Sequence, residues 1–204
     1  MTRALRIAVA DDESFMLDYY REILPSLGHE VVAAASTGEE LARLARDVRP
    51  ELIITDIRMP GADGIEAAMA VCPELSAPVI LVSAFYDDEL IRRAETDHIM
   101  AFLVKPIKKP DLATTIALAL HRFEQFQAMR REAADLRQAL ADRKVIERAK
   151  GLLMKTTGLD EPEAFRRLQK LARDSNRKLV EVGQAILLAE EALHPDAGRG
   201  PRRE

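Results

Sequence analysis

Four apolar runs in this chain end in side chains suited to chemistry on charged oxygen. Asp11-Asp12-Glu13 follows Leu5–Ala10, Asp56 follows Leu52–Thr55, Ser83 closes Val79–Ser83, and Lys105-Pro106 closes Ala101–Lys105. Clustered carboxylates repel one another and call for a cation. A hard divalent ion, Mg²⁺ or Mn²⁺, suits a few such oxygens together with water and a phosphate. Lysine adds a mobile positive charge for incoming phosphate oxygens, and the serine hydroxyl can donate to one of them. Asp56 is then left as the nucleophile, able to take a phosphoryl group as an acyl phosphate. Each piece alone has a plain explanation. Acidic pairs often make turns, strand-end serines often cap, and Lys-Pro is commonplace. Their order, at the ends of successive strands, argues for function over coincidence.

The elements that must position these groups are legible in the apolar pattern. Leu5–Ala10, Glu30–Ala35, Leu52–Thr55, Val79–Ser83 and Ala101–Lys105 read as five strands. Helical patterns separate them: Phe15 to Leu27 stopped by Gly28, Thr37 to about Val48, Gly64–Val71, and a short one over Asp87–Glu95. A further helix opens at Asp111. Such alternation over about 120 residues predicts a flavodoxin-like doubly wound sheet of five parallel strands. Strands buried on both faces read as continuous apolar runs, as these do. On a parallel sheet all four reactive ends point to one edge, where sites lie in such folds.

Beyond this the chain is helical. Phe126, Met129, Ala133, Leu136 and Leu140 keep 4-3 spacing until Arg143 breaks the stripe, giving fewer than three heptads. The stripe either packs on its own domain or pairs with a second copy. Self-pairing is favoured, because the front domain already has its helices. Thr156-Thr157-Gly158 reads as a turn, and Asp160-Glu-Pro-Glu163 as a capping box. Apolar faces over Val145–Leu153, Ala164–Ala172 and Leu179–Leu187 are enough for a small three-helix bundle.

Bulk composition excludes several classes. Apolar residues at 48% and charged residues at 31% suit a globular chain, and no apolar run is long enough to cross a bilayer. The N-terminus meets acids at once, unlike a secretory signal. The single cysteine, Cys72, permits no intrachain disulfide and fits a reducing, cytoplasmic setting. The net charge of −4 hides an asymmetry. Residues 1–122 hold 13 Lys/Arg against 20 Asp/Glu, net −7, whereas residues 144–178 hold 10 against 5, net +5. Different partners are therefore expected for the two halves.

The stretches "VADDE" (Val9–Glu13), "IITDIRMPGADG", "LVSA" (Leu81–Ala84) and "AFLVKP" (Ala101–Pro106) resemble the receiver domain of two-component response regulators. The resemblance implies that Asp56 accepts a phosphoryl group from a sensor histidine kinase. It implies that Asp12, Asp56 and the Arg58 backbone carbonyl bind Mg²⁺, with Asp11 assisting, and that Lys105 contacts the phosphoryl group. Ser83 and Phe102 match the family's switch pair, in which a phosphoryl group draws the hydroxyl in and the ring turns inward behind it. Plain core packing is the competing reading of Phe102. His98 departs from the glycine usual before the fifth strand, and the Arg58 side chain is placed to affect phosphate lifetime.

Arg143–Leu187 resembles the ANTAR domain, an RNA-binding module of antiterminator regulators, through "IERAKGLLM" (Ile146–Met154), "EAF" with Leu168, and "NRKLVEV" (Asn176–Val182). Gly183 stands where Ala is expected and Ala172 where Ser is common. Arg166, Lys170, Arg173 and Arg177 run down one side at helical spacing, joined by Lys178. Lys144, Arg148 and Lys155 line another. Such stripes suit phosphate contact, and equally a solvated charged face. Ala149, Lys150 and Gly151 are candidates for close approach to RNA. Phe165 reads as core, which leaves no aromatic platform for stacking.

The expected organisation is a receiver over residues 1–122, a helical linker over 123–142, an RNA-binding bundle over 143–193 and a disordered tail over 194–204. The expected function is a phosphorylation-switched response regulator, not an enzyme, that binds RNA hairpin loops to control antitermination. It acts as a homodimer paired through the linker, with no membrane partner and no small-molecule substrate beyond phosphodonors. Its rivals are a DNA-binding transcriptional regulator, a metal-dependent phosphohydrolase and a protein-interaction adaptor.

Overall fold

The computed structural model describes residues 3–61, 63–84 and 98–193. The chain divides into two compact units, Met1–Ala128 and Met129–Glu204. The first unit holds β1 (Arg6–Ala10), α1 (Ser14–Ser26), β2 (Glu30–Ala35), α2 (Gly38–Val48), β3 (Leu52–Asp56), α3 (Gly64–Leu75), β4 (Val79–Ser83) and β5 (Ile99–Val104). A 49-residue helix, α4 (Lys109–Thr157), begins in it, and α5 (Glu161–Asp174) and α6 (Leu179–Leu193) follow. The expected short helix over Asp87–Glu95 and the tail from His194 lie outside the described residues. Among the described residues no helix is long and apolar enough to cross a membrane.

All strands are parallel, in the order β2-β1-β3-β4-β5. That is the order of the flavodoxin-like doubly wound sheet. Alternation along each strand sends side chains to two apolar layers. Ile7, Val9, Leu52, Ile54, Ile80 and Val82 pack with Met16, Tyr20, Leu112 and Ile116 of α1 and α4. Ala8, Ala10, Ile53, Val79 and Leu81 pack with Leu41, Ala45, Ile65 and Val71 of α2 and α3. The strand β5 departs from the expected double burial. Its Ala101 and Leu103 are buried, while Phe102 and Val104 are 37% and 45% exposed.

Local chemistry sets the helix ends. Thr37 caps α2 by accepting from the Glu40 N–H at 3.2 Å. Asp63 caps α3 by accepting from the Glu66 N–H at 2.9 Å. Each satisfies a backbone donor that a helix start leaves unpaired. His98, in place of the usual glycine, is buried. Its carbonyl accepts the Val79 N–H at 2.9 Å, and its ring lies 6.0 Å from Phe123 and 6.5 Å from Phe126 of α4. The departure thus supplies an aromatic contact between the start of β5 and α4.

In the second unit Ala149, Leu168, Ala172 and Val182 form the core, joined by Leu153, Leu179, Ile186 and Leu187. The predicted capping box is present. Asp160 accepts the Glu163 N–H at 2.8 Å, and Glu163 accepts the Asp160 N–H at 3.3 Å. A Cβ on Gly183 would stand 3.2 Å from Val145 Cγ1 and 3.5 Å from Ala149 Cβ. Small residues therefore let α4 and α6 approach closely here. Met129, Leu136 and Leu140 of the 4-3 stripe are exposed.

Candidate functional site

Register builds the site. Ala10 pairs with Thr55 and Asp56 with Val82, so the residues just past β1 and at the end of β3 share one row. Ser83 follows one residue beyond and pairs with Val104, and the Lys105 N–H donates to the Ser83 carbonyl at 2.9 Å. All four predicted strand ends therefore meet at one edge of the sheet.

Carboxylate oxygens of Asp11, Asp12 and Asp56 lie within 4.8 Å of one another. Asp11, Asp56 and Ser83 are buried and Asp12 is exposed. Lys105 is the hub. Its ammonium stands 2.5 Å from Asp56 Oδ2, 2.9 Å from Asp11 Oδ2 and 3.0 Å from Glu13 Oε2. It donates to Asp11 Oδ1 at 3.2 Å, whereas the approach to Oδ2 lacks hydrogen-bond geometry. Asp56 Oδ1 accepts the Arg58 N–H at 2.9 Å, which brings the Arg58 peptide to the pocket while its side chain stays exposed.

Electrostatics follow from burial. Desolvation pushes the Asp11 carboxyl above the usual carboxylate value, against the hydrogen bond from Lys105. Burial alone would lower the Lys105 ammonium, but hydrogen bonds to Asp56, Asp11 and Glu13 override it and hold the group above its ordinary value. One cation thus faces several carboxylates. A fully buried carboxylate oxygen without a hydrogen bond, beside two other carboxylates, is an all-oxygen donor set that fits a hard divalent ion such as Mg²⁺ or Mn²⁺.

Lys105→Met is therefore expected to destabilise the protein by about 2 kcal/mol in chelator at neutral pH, because it strands buried carboxylates. Excess Mg²⁺ should restore most of this. The Asp11 carboxyl is held above its unfolded value, so the folded state binds the proton more readily. The deficit should shrink as pH falls toward that raised value. Thermal melts with and without chelator check this. Equal melting of variant and parent in chelator at neutral pH would refute it.

Three contributors went unpredicted. Glu13, which follows the acidic pair in the sequence, reaches Lys105 only through the fold. Thr55 Oγ1 donates to the Asp56 carbonyl at 3.0 Å within the core. Gly64 packs against that same carbonyl: a Cβ there would lie 1.9 Å from Asp56 O and 2.7 Å from Thr55 Oγ1. The glycine in the turn was a visible signal, but the close approach behind it was not. Phe102 is not fully buried in the core, since the residue is 37% exposed on β5.

In the second unit Arg166, Lys170 and Arg173 are exposed on the side of α5 opposite the buried Ala164, Leu168 and Ala172. Arg177 and Lys178 are exposed in the α5–α6 turn, and Arg148 and Gly151 on α4. One candidate needs correction, and a second is already paired. Ala149 is fully buried, so it is small for helix packing and cannot touch RNA. Lys150 is only 9% exposed, with its ammonium 2.5 Å from Glu147 and 2.7 Å from Glu161. Both carboxylates are themselves exposed, so its charge is paired at the bundle surface. Phe165, expected in the core, is 37% exposed.

Known proteins share both units. Residues 7–117 match the response regulator receiver domain family, and residues 134–187 match the ANTAR domain family. The transcriptional regulatory protein PdtaR of Mycobacterium tuberculosis is 38% identical over 182 residues, 89% of each chain. The signal receiver domain of a modulated diguanylate cyclase from Desulfovibrio desulfuricans superposes with a TM-score of 0.56 at 29% identity, covering 60% of this chain and 98% of that one. The receiver domain of the response regulator NarL from Mycobacterium tuberculosis gives 0.53 at 27% identity, covering 57% and 95%. With its acid-and-lysine edge on a five-stranded parallel sheet and a helical unit following it in sequence, this chain belongs to the response regulators that join a receiver domain to an ANTAR domain.

Proposed function

We propose that Asp56 takes a phosphoryl group from a sensor histidine kinase, and that its phosphorylation controls RNA binding by the C-terminal unit. The gathering of Asp11, Asp56 and Glu13 around the Lys105 ammonium carries this reading. An Asp56 carboxylate oxygen bonds to phosphorus as the phosphorus–nitrogen bond of the kinase phosphohistidine breaks. The departing imidazole nitrogen keeps the electron pair. A divalent ion held by Asp11, Asp12, Asp56 and the Arg58 carbonyl would neutralise phosphoryl charge. Lys105, already 2.5 Å from Asp56, moves to a phosphoryl oxygen, and Ser83 donates to another. The partly exposed Phe102 then follows Ser83 inward.

The output half of the proposal uses two surfaces. The exposed Met129, Leu136 and Leu140 stripe pairs two copies. A parallel pair sets Glu132 of one copy against Arg137 of the other, whereas an antiparallel pair would oppose Arg130 and Arg137 as cations. Arg166, Lys170, Arg173, Arg177 and Lys178, with Arg148 and Gly151, then contact paired hairpin loops in a nascent transcript and prevent a terminator from forming.

The test measures oligomeric mass and binding to stem-loop RNA and to duplex DNA at one salt concentration, with and without a small-molecule phosphodonor. Expected are a shift toward dimer and tighter stem-loop binding with phosphodonor, both absent in Asp56→Asn. Equal binding to duplex DNA would favour a DNA-binding regulator. Binding to neither nucleic acid would favour an adaptor.

A further inference from the structure

Phe165 is the only Phe, Tyr or Trp from Met129 to the C-terminus. The bundle core forms without it, from Ala149, Leu168, Ala172 and Val182. On α5 it sits between the buried face (Ala164, Leu168, Ala172) and the exposed basic stripe (Arg166, Lys170, Arg173). The residue is 37% exposed, so part of it stays in water on the helix that carries the three cations. Packing accounts for the covered part of the side chain and leaves the exposed part without a role. The one carboxylate a helical turn before it, Glu161, is held by the Lys150 ammonium at 2.7 Å. That pairing reduces the repulsion a phosphate backbone would meet beside the ring.

We propose that the Phe165 ring stacks on one unpaired base of an RNA loop while Arg166, Lys170 and Arg173 hold the flanking phosphates. This rests on the RNA-binding reading and assigns its preference for loops to a residue. Every base has a face for an aromatic ring, but in a duplex that face is covered by its neighbours. Cations alone bind paired and unpaired strands alike. The exposed ring is the feature of this unit that distinguishes them.

A pool of RNAs with a fixed stem and randomised loop is enriched on the intact phosphodonor-treated protein. The enriched RNA is then measured against parent, Phe165→Leu and Phe165→Tyr. Leu keeps apolar bulk without a ring face, and Tyr keeps the face. Expected is roughly a tenfold loss of affinity for Phe165→Leu, near-parent binding for Phe165→Tyr, and an unchanged salt slope in both. The same RNA made abasic at each loop position in turn should bind parent and Phe165→Leu equally at one position. Equal binding of parent and Phe165→Leu to the intact loop would overturn the inference. So would a loss that every abasic RNA shows alike, or one that Phe165→Tyr shares, since those outcomes mark a packing role or a protein-facing ring. Failure of the pool to enrich any loop over a fully paired duplex would remove the RNA reading itself, and this inference with it.

Discussion

Asp56→Asn is expected to reduce phosphoryl uptake from a small-molecule phosphodonor to background while the protein stays folded. The two effects separate because Asp56 does two jobs with two oxygens. Oδ1 accepts the Arg58 N–H at 2.9 Å, and an asparagine oxygen accepts that bond equally well. Oδ2 faces Lys105, and that charge has no replacement in an amide. Lys105 keeps Asp11 and Glu13 as partners. Removing one of three carboxylates within 4.8 Å also relieves like-charge repulsion. Stability in chelator should therefore stay within about 1 kcal/mol of the parent, a few degrees in melting temperature. The neutral amide is not a nucleophile toward phosphorus, so no acyl phosphate forms. The stabilisation gained from Mg²⁺ should weaken as well, since one ligand charge is gone. Labelled-phosphate transfer and thermal melts check the pair of outcomes. Uptake at the parent rate would place the acceptor elsewhere.

Most of the front unit could be read from the chain because its signals are local and repeated. Leu52, Ile53 and Ile54 are all buried, and a run with no polar gap told of a strand covered on both faces. Ends of such strands share one edge by topology, so Asp11, Asp56, Ser83 and Lys105 could be grouped without coordinates. The strand β5 misled because its apolar run, Ala101 to Val104, lies at the sheet edge with Phe102 and Val104 outward. A run of apolar letters does not say whether a second layer covers it. Glu13 escaped for another reason. Its link to Lys105 spans most of the unit, and only the folded register brings the two together.

The second unit was legible in its faces and less so in its depths. Helical spacing placed Ala164, Leu168 and Ala172 on one side and the cations on the other. It did not give the separation between helices. Gly183 and Ala149 bring α6 and α4 close together, beside a core that Leu168 and Val182 fill. In the sequence Ala149 reads as a surface that lets RNA approach, whereas the approach it permits is that of a helix. With Ala164 and Leu168 at the centre of the face, Phe165 falls to its rim. Lys150 reads as one more cation of a basic patch, yet Glu147 and Glu161 pair with its ammonium.

Gly64→Ala should cost more than any other single methyl in the front unit that touches the site. The added Cβ would lie 1.9 Å from the Asp56 carbonyl oxygen and 3.0 Å from its carbon. Both are backbone atoms of a central, fully buried strand, so neither can swing aside. The Gly64 N–H donates to the Ile57 carbonyl at 3.0 Å, and pushing α3 away breaks that bond. A loss of about 3 kcal/mol or more is expected, at or beyond the top of the usual overpacking range. Gly61→Ala is the contrasting case. A Cβ there meets only the carboxylate of Glu39, a flexible side-chain end, and the cost is the positive φ of +80°, about 1 kcal/mol. The displaced atom in Gly64→Ala is the carbonyl of the acceptor itself. The fraction that remains folded should therefore take up phosphoryl groups more slowly, as Asp56 and the Arg58 peptide shift together. Asp56→Asn loses chemistry and keeps stability, whereas Gly64→Ala loses both. Denaturant titration beside the uptake rate per folded molecule separates them. A Gly64→Ala protein as stable as Gly61→Ala would mean that α3 can retreat from the strand end, and that Asp56 is held by its strand alone.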